Sequence, residues 1–535
     1  MLSKIYSAAI FGLEAILIEV EVDVANGLHS FNIVGLPDIS IKEAKQRVSA
    51  AIKNTGAKSP LRANKKITIN LAPADIKKYG SYYDLAIALG YLLASEQMLP
   101  FSSEKKIFVG ELTLGGLVRP VHGILAIAMW AEKNGYEYIF VPLQNAAEAA
   151  MATKNLKVMG IKNLRELISF LENKINLSPY KVSEDFSYSE QNEKQGSADS
   201  MSAGSYNFNK GLDFSQIKGQ GRAKRALVIA ASGNHNILMV GPPGSGKTLL
   251  AKAFLSILPA MNKEQCFEVT KIHSISGLLP ASQPLIKQCP FRTPHHTAST
   301  AALIGGGTWP KPGEITLAHQ GVLFLDELPE FKRDALESLR QPLEEGKICI
   351  SRTQGRITFP AKFILIAAMN PCPCGYLGDP KKECACSPGD IIRYRKKISG
   401  PLLDRIDIII EVPRLSFQEI SNRTSVETSE AIKKEVVFAR QIQKQRFIKK
   451  NKKYPPIFTN GEMDMEDINQ FCQIEKQAEN LLKKAMDRYS LSPRSYHRVL
   501  KISRTIADLE NEETINYNHV AEALQYKTEF SWNEH

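Results

Sequence analysis

Uninterrupted apolar runs are missing from this sequence, and cysteine and tryptophan are scarce, at 8 and 3 of 535 residues. The long uncharged stretch from Ala226 to Gly246 is broken by Ser232, Gly233, Asn234, His235 and Asn236, which excludes it as an apolar membrane-spanning helix. Near the amino terminus, the apolar stretch from Ile5 to Leu13 runs into Glu14 and the acid-punctuated IEVEVDV. It has no small-residue cleavage signal, and a cytoplasmic protein without a membrane partner is expected. Eight cysteines in so long a chain are too few for a disulfide scaffold, and four of them crowd between positions 372 and 386. What is present is ordinary for a folded protein: 43% hydrophobic and 23% charged residues, which argues against whole-chain disorder and collagen-like or mucin-like structure. At about 150 residues per domain the length predicts roughly three or four domains. The balance of 68 basic and 56 acidic residues, +12, favours an anionic partner such as nucleic acid or nucleotide without identifying it.

Residues 1–172 mix alternating strands (ILIEVEV, KITINLA, KIFVGEL, YIFVP) with amphipathic helices (IKEAKQRVSAAIKN, DLAIALGYLLASE), which predicts an α+β domain. Residues 173–210 are rich in Ser, Gly, Glu and Gln and poor in aliphatics, the composition of a linker. Over 211–415, apolar strands (NILMVG, GVLFLDE, FILIAAMN, DIIIEV) alternate with helices, predicting an α/β core with a parallel sheet. Residues 416–535 read as almost wholly helical, a lid after the core. The expected class is therefore multidomain α/β.

Gly241-Pro242-Pro243-Gly244-Ser245-Gly246-Lys247-Thr248 stands between a strand and a helix, the context a phosphate-binding loop requires. Its backbone N–H groups can wrap phosphate oxygens, Lys247 can reach the terminal phosphates of ATP, and the Thr248 hydroxyl can ligate Mg²⁺. The strand Val322 to Leu325 delivers Asp326 and Glu327 to its carboxyl end, where open α/β sheets bind ligands. Asp326 is suited to hold the metal and Glu327 to polarise the attacking water, while Asn370, ending the next strand, can orient that water. Arg405 and Arg494 follow in an order that suits charge stabilisation on a transferring phosphoryl group.

These residues resemble the AAA+ ATPases, and within them the magnesium-chelatase-like branch that includes the ComM/YifB family. The resemblance is carried by PFRTPHHTAS (Pro290 to Ser299), LIGGG (Leu303 to Gly307), PGEITLAHQGVLFLDELPEF (Pro312 to Phe331), AAMNPCPCGYLGD (Ala367 to Asp379), ISGPLLDRID (Ile398 to Asp407) and SRTIADL (Ser503 to Leu509). It implies an AAA+ core, Arg405 as a finger acting on a neighbour's ATP, Arg494 as a lid arginine that senses nucleotide, and a ring, usually a hexamer. It also implies a helicase that drives branch migration as single-stranded DNA is integrated in natural transformation. The alternative within the same branch is a chelatase-type or protein-remodelling ATPase that does not act on DNA.

The first domain resembles the Lon proteolytic fold through KKYGSYYDLAIALG (Lys77 to Gly90) and VGELTLGGLVRPVHGILA (Val109 to Ala126). A Lon-type protease needs a serine activated by a lysine. Tyr82 and Leu125 stand at those two places, and Ser81 is one residue out of register, so a non-catalytic scaffold is expected.

DNA, single-stranded or branched, has two candidate contacts. One is a hairpin, KICISR then GRITFPAKF, whose Arg352 and Arg356 flank the turn at Thr353, Gln354 and Gly355; a charged edge that resists aggregation explains it equally well. The other is the basic run Arg440 to Lys453, for which a solvated helix face is the commoner explanation. His295 and His296 are adjacent, so a shared metal is not expected and a structural role is. Cys372-Pro-Cys374 and Cys384-Ala-Cys386 supply four thiols in one loop, enough for a tetrahedral zinc, Zn²⁺, although the C-x-C gap is tighter than usual.

Overall fold

The computed structural model describes residues 1–62, 64–181, 212–280, 283–307, 311–352, 355–416, 427–450, 457–489 and 491–528. The expected linker lies, from residue 182 onward, outside the described residues. The chain divides into two compact units. Met1–Tyr206 forms the first together with Asn262–Ile286, and Asn207–Met261 with Lys287–His535 forms the second.

In the first unit, β1 (Leu2–Phe11), β2 (Glu14–Asn26), β3 (Ser30–Val34) and β4 (Lys65–Ala72) make a sheet of order β1-β2-β4-β3, antiparallel except where β3 runs with β4. Alternation sets the inner face: Ile67, Ile69 and Leu71 of β4 are buried beside Ile18, Val20 and Val22 of β2. Between β3 and β4 comes α1 (Ile39–Thr55), whose first turn is capped by Asp38 accepting from the Ile41 N–H at 2.8 Å. The next helix, α2 (Asp84–Ala94), is apolar on all sides and accordingly buried, packed on β1, β2 and α1. A short antiparallel ladder, β6 (Glu111–Leu112) with β7 (Val118–Arg119), follows β5 (Lys106–Phe108). Around α3 (Ile124–Lys133) and α4 (Ala146–Met151), β8 (Tyr138–Pro142) and β9 (Lys157–Ile161) complete a second, parallel sheet of order β5-β8-β9, closed by α5 (Leu164–Leu171).

The second unit begins with α6 (Gly221–Gly233), β10 (Ile237–Val240) and α7 (Lys247–Ile257). The chain then supplies α8 (Lys263–Ile275), which belongs to the first unit and packs on α3. There Ser274 donates to Glu148 and its oxygen accepts from the Gly123 N–H at 2.9 Å. Back in the second unit come β11 (Phe291–Arg292), α9 (Thr300–Ile304), the short pair β12 (Gly305–Gly306) and β13 (Lys311–Pro312), α10 (Glu314–Leu317) and β14 (Gly321–Leu325). Two short helices, α11 (Arg333–Glu337) and α12 (Arg340–Glu345), lead into the hairpin β15 (Lys347–Arg352) and β16 (Gly355–Pro360). β17 (Phe363–Met369), α13 (Pro388–Arg395), α14 (Gly400–Leu403) and β18 (Ile408–Glu411) complete the core. Its sheet has the order β11-β14-β17-β10-β18, and every pairing is parallel. The apolar runs read from the sequence are β10, β14, β17 and β18, buried on both faces as a covered parallel sheet requires.

Among the described residues five α-helices follow: α15 (Ser429–Lys450), α16 (Met465–Phe471), α17 (Lys476–Tyr489), α18 (Pro493–Leu509) and α19 (Tyr517–Thr528). α15 packs on α6, α7 and α18. This packing turns two members of the basic run inward. Arg440 donates to the Ala231 carbonyl at 2.6 and 2.8 Å, and Arg446 pairs with the buried Asp508. Those two arginines are structural, not a phosphate-binding face. No helix among the described residues is long and apolar enough to cross a membrane.

A buried ion pair holds α1 to α2: Arg47 Nε and Nη2 donate to Asp84 at 2.8 and 3.1 Å, and the Leu112 N–H donates at 3.1 Å. Burial pushes the Asp84 carboxyl up to about 6 although Arg47 pulls it down. A raised carboxyl favours the folded state while protonated, so this group's contribution falls as pH rises from the unfolded value through 6. Replacing Arg47 by Met leaves a buried, uncompensated carboxylate and is expected to cost about 3 kcal/mol at pH 8. The loss should shrink towards pH 5, where Asp84 takes a proton; melting curves of both proteins across that range check it.

Candidate functional site

The carboxyl ends of β10, β14 and β17 lie side by side, with Leu325 opposite Ala367 and Val240 opposite Met369. Each strand therefore releases its next residues at one edge: Gly241, Asp326 and Asn370. Gly241 meets the backbone of Val412, whose oxygen would lie 2.1 Å from a Cβ, so no side chain fits. Gly246 takes φ +92, a left-handed conformation that glycine adopts without strain, and caps α7 so that its first N–H groups open onto the loop. The hydroxyl of Ser245 is buried and has no hydrogen-bond partner among the described residues, a donor left for an anion.

Lys247 is buried and folds back, its Nζ donating to the carbonyls of Gly241 at 2.7 Å and Pro242 at 3.0 Å and to Asn370 Oδ1 at 3.4 Å. Burial lowers its pKa, opposed by the carboxylates of Asp326 and Glu327. A bound phosphate would replace the carbonyls as its partner and restore the charge. Thr248 Oγ1 donates to Asp326 Oδ2 at 2.9 Å, so the two oxygens that suit a Mg²⁺ ion, one directly and one through water, are already adjacent. Asp326 Oδ1 accepts from the Glu327 N–H at 2.9 Å. Glu327 itself has φ +53, which turns it out of the strand direction.

His296 is the residue that sequence reasoning assigned to structure alone. Its Nδ1 lies 3.2 Å from Glu327 Oε2, and its ring lies 4.1 Å from that of His295 between centroids, the planes tilted by 35°. The cause is topological: TPHH follows β11, and β11 runs parallel to β14, so the chain leaving β11 emerges beside Asp326 and Glu327.

Arg405 and Arg494 are not at this phosphate loop. Asn236, at the amino end of β10, donates from Nδ2 to the Arg405 carbonyl at 3.2 Å and accepts on Oδ1 from the Leu365 N–H at 2.8 Å. Its own N–H donates to Asp407 at 3.1 Å, and Arg498 pairs with Asp407 at 3.3 Å. Arg405 is thus tied to the amino edge of the sheet, and β10 separates it from Gly241 by about 15 Å. There Arg405 and Arg494 converge on one carboxylate, Glu344, beside a cavity of about 720 Å³ that Arg498 and Lys501 also line. Burial would raise Asp407, but His235 at 3.7 Å and the charges of Arg498 and Lys501 hold it well below the usual range.

Of the hairpin residues, Arg356 is exposed; Thr353, Gln354 and the side chain of Arg352 lie outside the described residues. The four loop cysteines do come together. Cys372, Cys374 and Cys384 have sulfurs 3.4 to 3.6 Å apart, the Cys386 sulfur accepts from the Cys374 N–H at 3.3 Å, and all four sulfurs lie within 4.8 Å of one another. Sulfurs bound tetrahedrally at about 2.3 Å from zinc sit somewhat under 4 Å apart, so this donor set fits a metal such as zinc with no position left for water. The cysteine loop also braces the phosphate loop. A Cβ on Gly375 would meet Pro243 at 2.7 Å, and Arg414 joins the Pro243 carbonyl at 3.4 Å to Asp379 at 3.6 Å.

Comparison with known families matches magnesium chelatase, subunit ChlI, to residues 213–420; subunit ChlI of Mg-chelatase to 20–145; and the subunit ChlI C-terminal region to 426–527. Among curated proteins, competence protein ComM of Haemophilus influenzae is 42% identical over 98% of this chain and 97% of its own. The uncharacterised protein YifB of Escherichia coli is 40% identical over the same shares. The magnesium-chelatase 38 kDa subunit of Cereibacter sphaeroides is 26% identical over 30% of this chain and 53% of its own.

Protein purified without chelator is expected to carry about one zinc per chain, measured by elemental analysis, and to lose it when all four loop cysteines become serine. Metal-free protein with four freely reactive thiols would contradict this.

Proposed function

The chain belongs to the ComM/YifB family of magnesium-chelatase-like AAA+ proteins, and from that premise we propose that it is an ATP-driven ring motor that acts on DNA. The observation that carries the ring is the division of the ATP machinery between two edges of one sheet. Lys247, Thr248, Asp326, Glu327 and Asn370 stand at the carboxyl edge, and Arg405 and Arg494 stand at the amino edge. A single chain cannot bring both sets to one nucleotide. Stacked head to tail, each chain offers its arginines to the next chain's ATP, and such a contact closes into a ring, usually a hexamer in this branch.

At each interface the loop from Gly241 to Gly246 would hold ATP, and Thr248 and Asp326 would hold Mg²⁺, which would neutralise phosphate charge. Glu327 takes the proton of the attacking water, Asn370 orients that water, and Arg405 and Arg494 neutralise the charge that develops on the γ-phosphoryl oxygens. His296 holds the Glu327 carboxylate in place before water enters. Expected results for Glu327→Gln are ATP binding within about twofold of the parent and a loss of turnover of at least a hundredfold, since only water activation has been removed. Wild-type turnover in that variant would refute its role. Mixed rings test the division: Arg405→Ala and Glu327→Gln subunits, each inactive alone, should regain ATPase activity together, because some interfaces then pair an intact finger with an intact glutamate.

The hairpin of β15 and β16, with Arg356 exposed, supports a backbone grip on DNA, as does the net charge of +12. The competence protein among the relatives agrees with that substrate, with branch migration of incoming single strands as the specific task. The first unit is then a Lon-like scaffold without protease chemistry. Leu125 is fully buried where a lysine would be needed, Ser81 donates to Glu111 rather than to a lysine, and Tyr82 is pushed up to about 12 by burial. The match to a magnesium-chelatase subunit favours, as second reading, a remodelling ATPase without DNA. Forked or single-stranded DNA should raise ATP turnover severalfold, and labelled branched DNA should be unwound, with binding falling steeply as salt increases. Turnover indifferent to every form of DNA would leave the second reading.

A further inference from the structure

We propose that Glu344 is the positioning residue that aims Arg405 and Arg494 as a pair at one phosphoryl group of the adjoining subunit's ATP. The inference rests on the reading of those arginines as acting across a subunit interface, and it adds the group that makes them act together. Glu344 stands near the end of α12, followed by Gly346 in the left-handed region, φ +63, and then by β15. Its two carboxylate oxygens are shared: Oε2 accepts from Arg405 Nη2, and Oε1 accepts from Arg494 Nη2.

Two guanidinium groups seated on one carboxylate are within a few ångströms of each other, a distance at which like charges repel unless an anion lies between them. Arg498 and Lys501 border the same cavity and add to the repulsion. Glu344 is the anion on which the two fingertips meet, and the two arginines in turn hold its carboxyl below the ordinary range, Arg405 more than Arg494. The pair keeps a surplus positive charge for an incoming phosphoryl group. The oxygens of a carboxylate are spaced much as those of a phosphoryl group, so the separation that Glu344 imposes is one two phosphoryl oxygens can use.

The two arginines are unequal. Arg405 is nine-tenths buried, with Nη1 on the Pro401 carbonyl at 2.6 Å and Nε without a hydrogen-bond partner among the described residues. Arg494 is 42% exposed, at the first turn of α18. One guanidinium is fixed by the core, the other is half exposed at the start of α18, and Glu344 is the link that registers the second against the first.

The test compares Glu344→Gln, nearly isosteric but neutral, with Glu344→Asp, which keeps the charge and withdraws it by one methylene. Glu344→Gln is expected to lower kcat for ATP about tenfold or more. KM and the affinity of a fluorescent ATP analogue should change less than about twofold, since the chain's own phosphate loop is at the other edge. Mixed with Glu327→Gln subunits it should regain activity as Arg405→Ala does; mixed with Arg405→Ala it should regain none. Glu344→Asp should show the same pattern at smaller amplitude, and serves alone if the Gln variant melts below assay temperature. Wild-type kcat in Glu344→Gln, equal loss of kcat and analogue binding, or complementation of Arg405→Ala would overturn the proposal. If Arg405→Ala itself is not complemented by Glu327→Gln, the trans reading has failed and this inference falls with it.

Discussion

Strand polarity governs this molecule. In a sheet whose five strands all run one way, every carboxyl end lies along one edge and every amino end along the other, so the two edges differ chemically. The carboxyl edge collects loop N–H groups, a lysine and two adjacent acids. The amino edge, through Asn236 and Asp407, anchors the arginines. Because the covalent chain fixes both, the separation of phosphate site and arginines is as rigid as β10 itself. On the proposed reading, what is missing from either edge comes from another molecule, and hydrolysis is a property of an interface.

How much of this was legible in the sequence depends on range. The phosphate loop is local: six residues between an apolar strand and a helix dictate their own geometry, and that strand and helix are β10 and α7. Asp326 and Asn370 were legible because fully apolar runs mark buried parallel strands, and the residue after each run must surface at the edge. Cys372, Cys374, Cys384 and Cys386 were grouped from spacing, and their sulfurs do cluster. Contacts between distant segments were not legible. Glu344 is far in sequence from both Arg405 and Arg494, and no local pattern marks it as their partner. His296 escaped because β11 has only two residues, too few to announce a strand whose end adjoins Glu327. The basic run of α15 was read only as a solvated face or a DNA contact because charge counts carry no direction: a helix presents all its faces, and Arg440 and Arg446 lie on the one that packs inward.

The cysteine loop and the phosphate loop form one assembly. Pro243 is pressed by Gly375 on one side and tethered through Arg414 to Asp379 on the other, while Gly241 has the Val412 backbone behind it. A metal that fixed the four thiols would fix Gly375, and through it the shape of the loop that meets phosphate. Two of the three contacts are backbone or proline atoms, so most of the support is steric and insensitive to salt, the Arg414–Asp379 pair being its ionic part. This differs from the arginine edge, where positions are set by shared charges that ionic strength and neighbouring anions can alter.

Chain topology gives the first unit a permanence that its boundary would not suggest. Residues Asn262–Ile286 are encoded in the middle of the nucleotide-binding region, yet they fold with the amino-terminal residues, with Ser274 seated between Gly123 and Glu148. A gene that lost its first two hundred codons would still translate α8, now stripped of the surface that buries it, and the product would carry a sticky helix between α7 and β11. Shedding the domain by a single deletion is therefore penalised, and descendants that dispense with it must also shorten an internal segment. The same geometry makes fusion or swapping of this domain between relatives a two-site event, so the two units are expected to be inherited together.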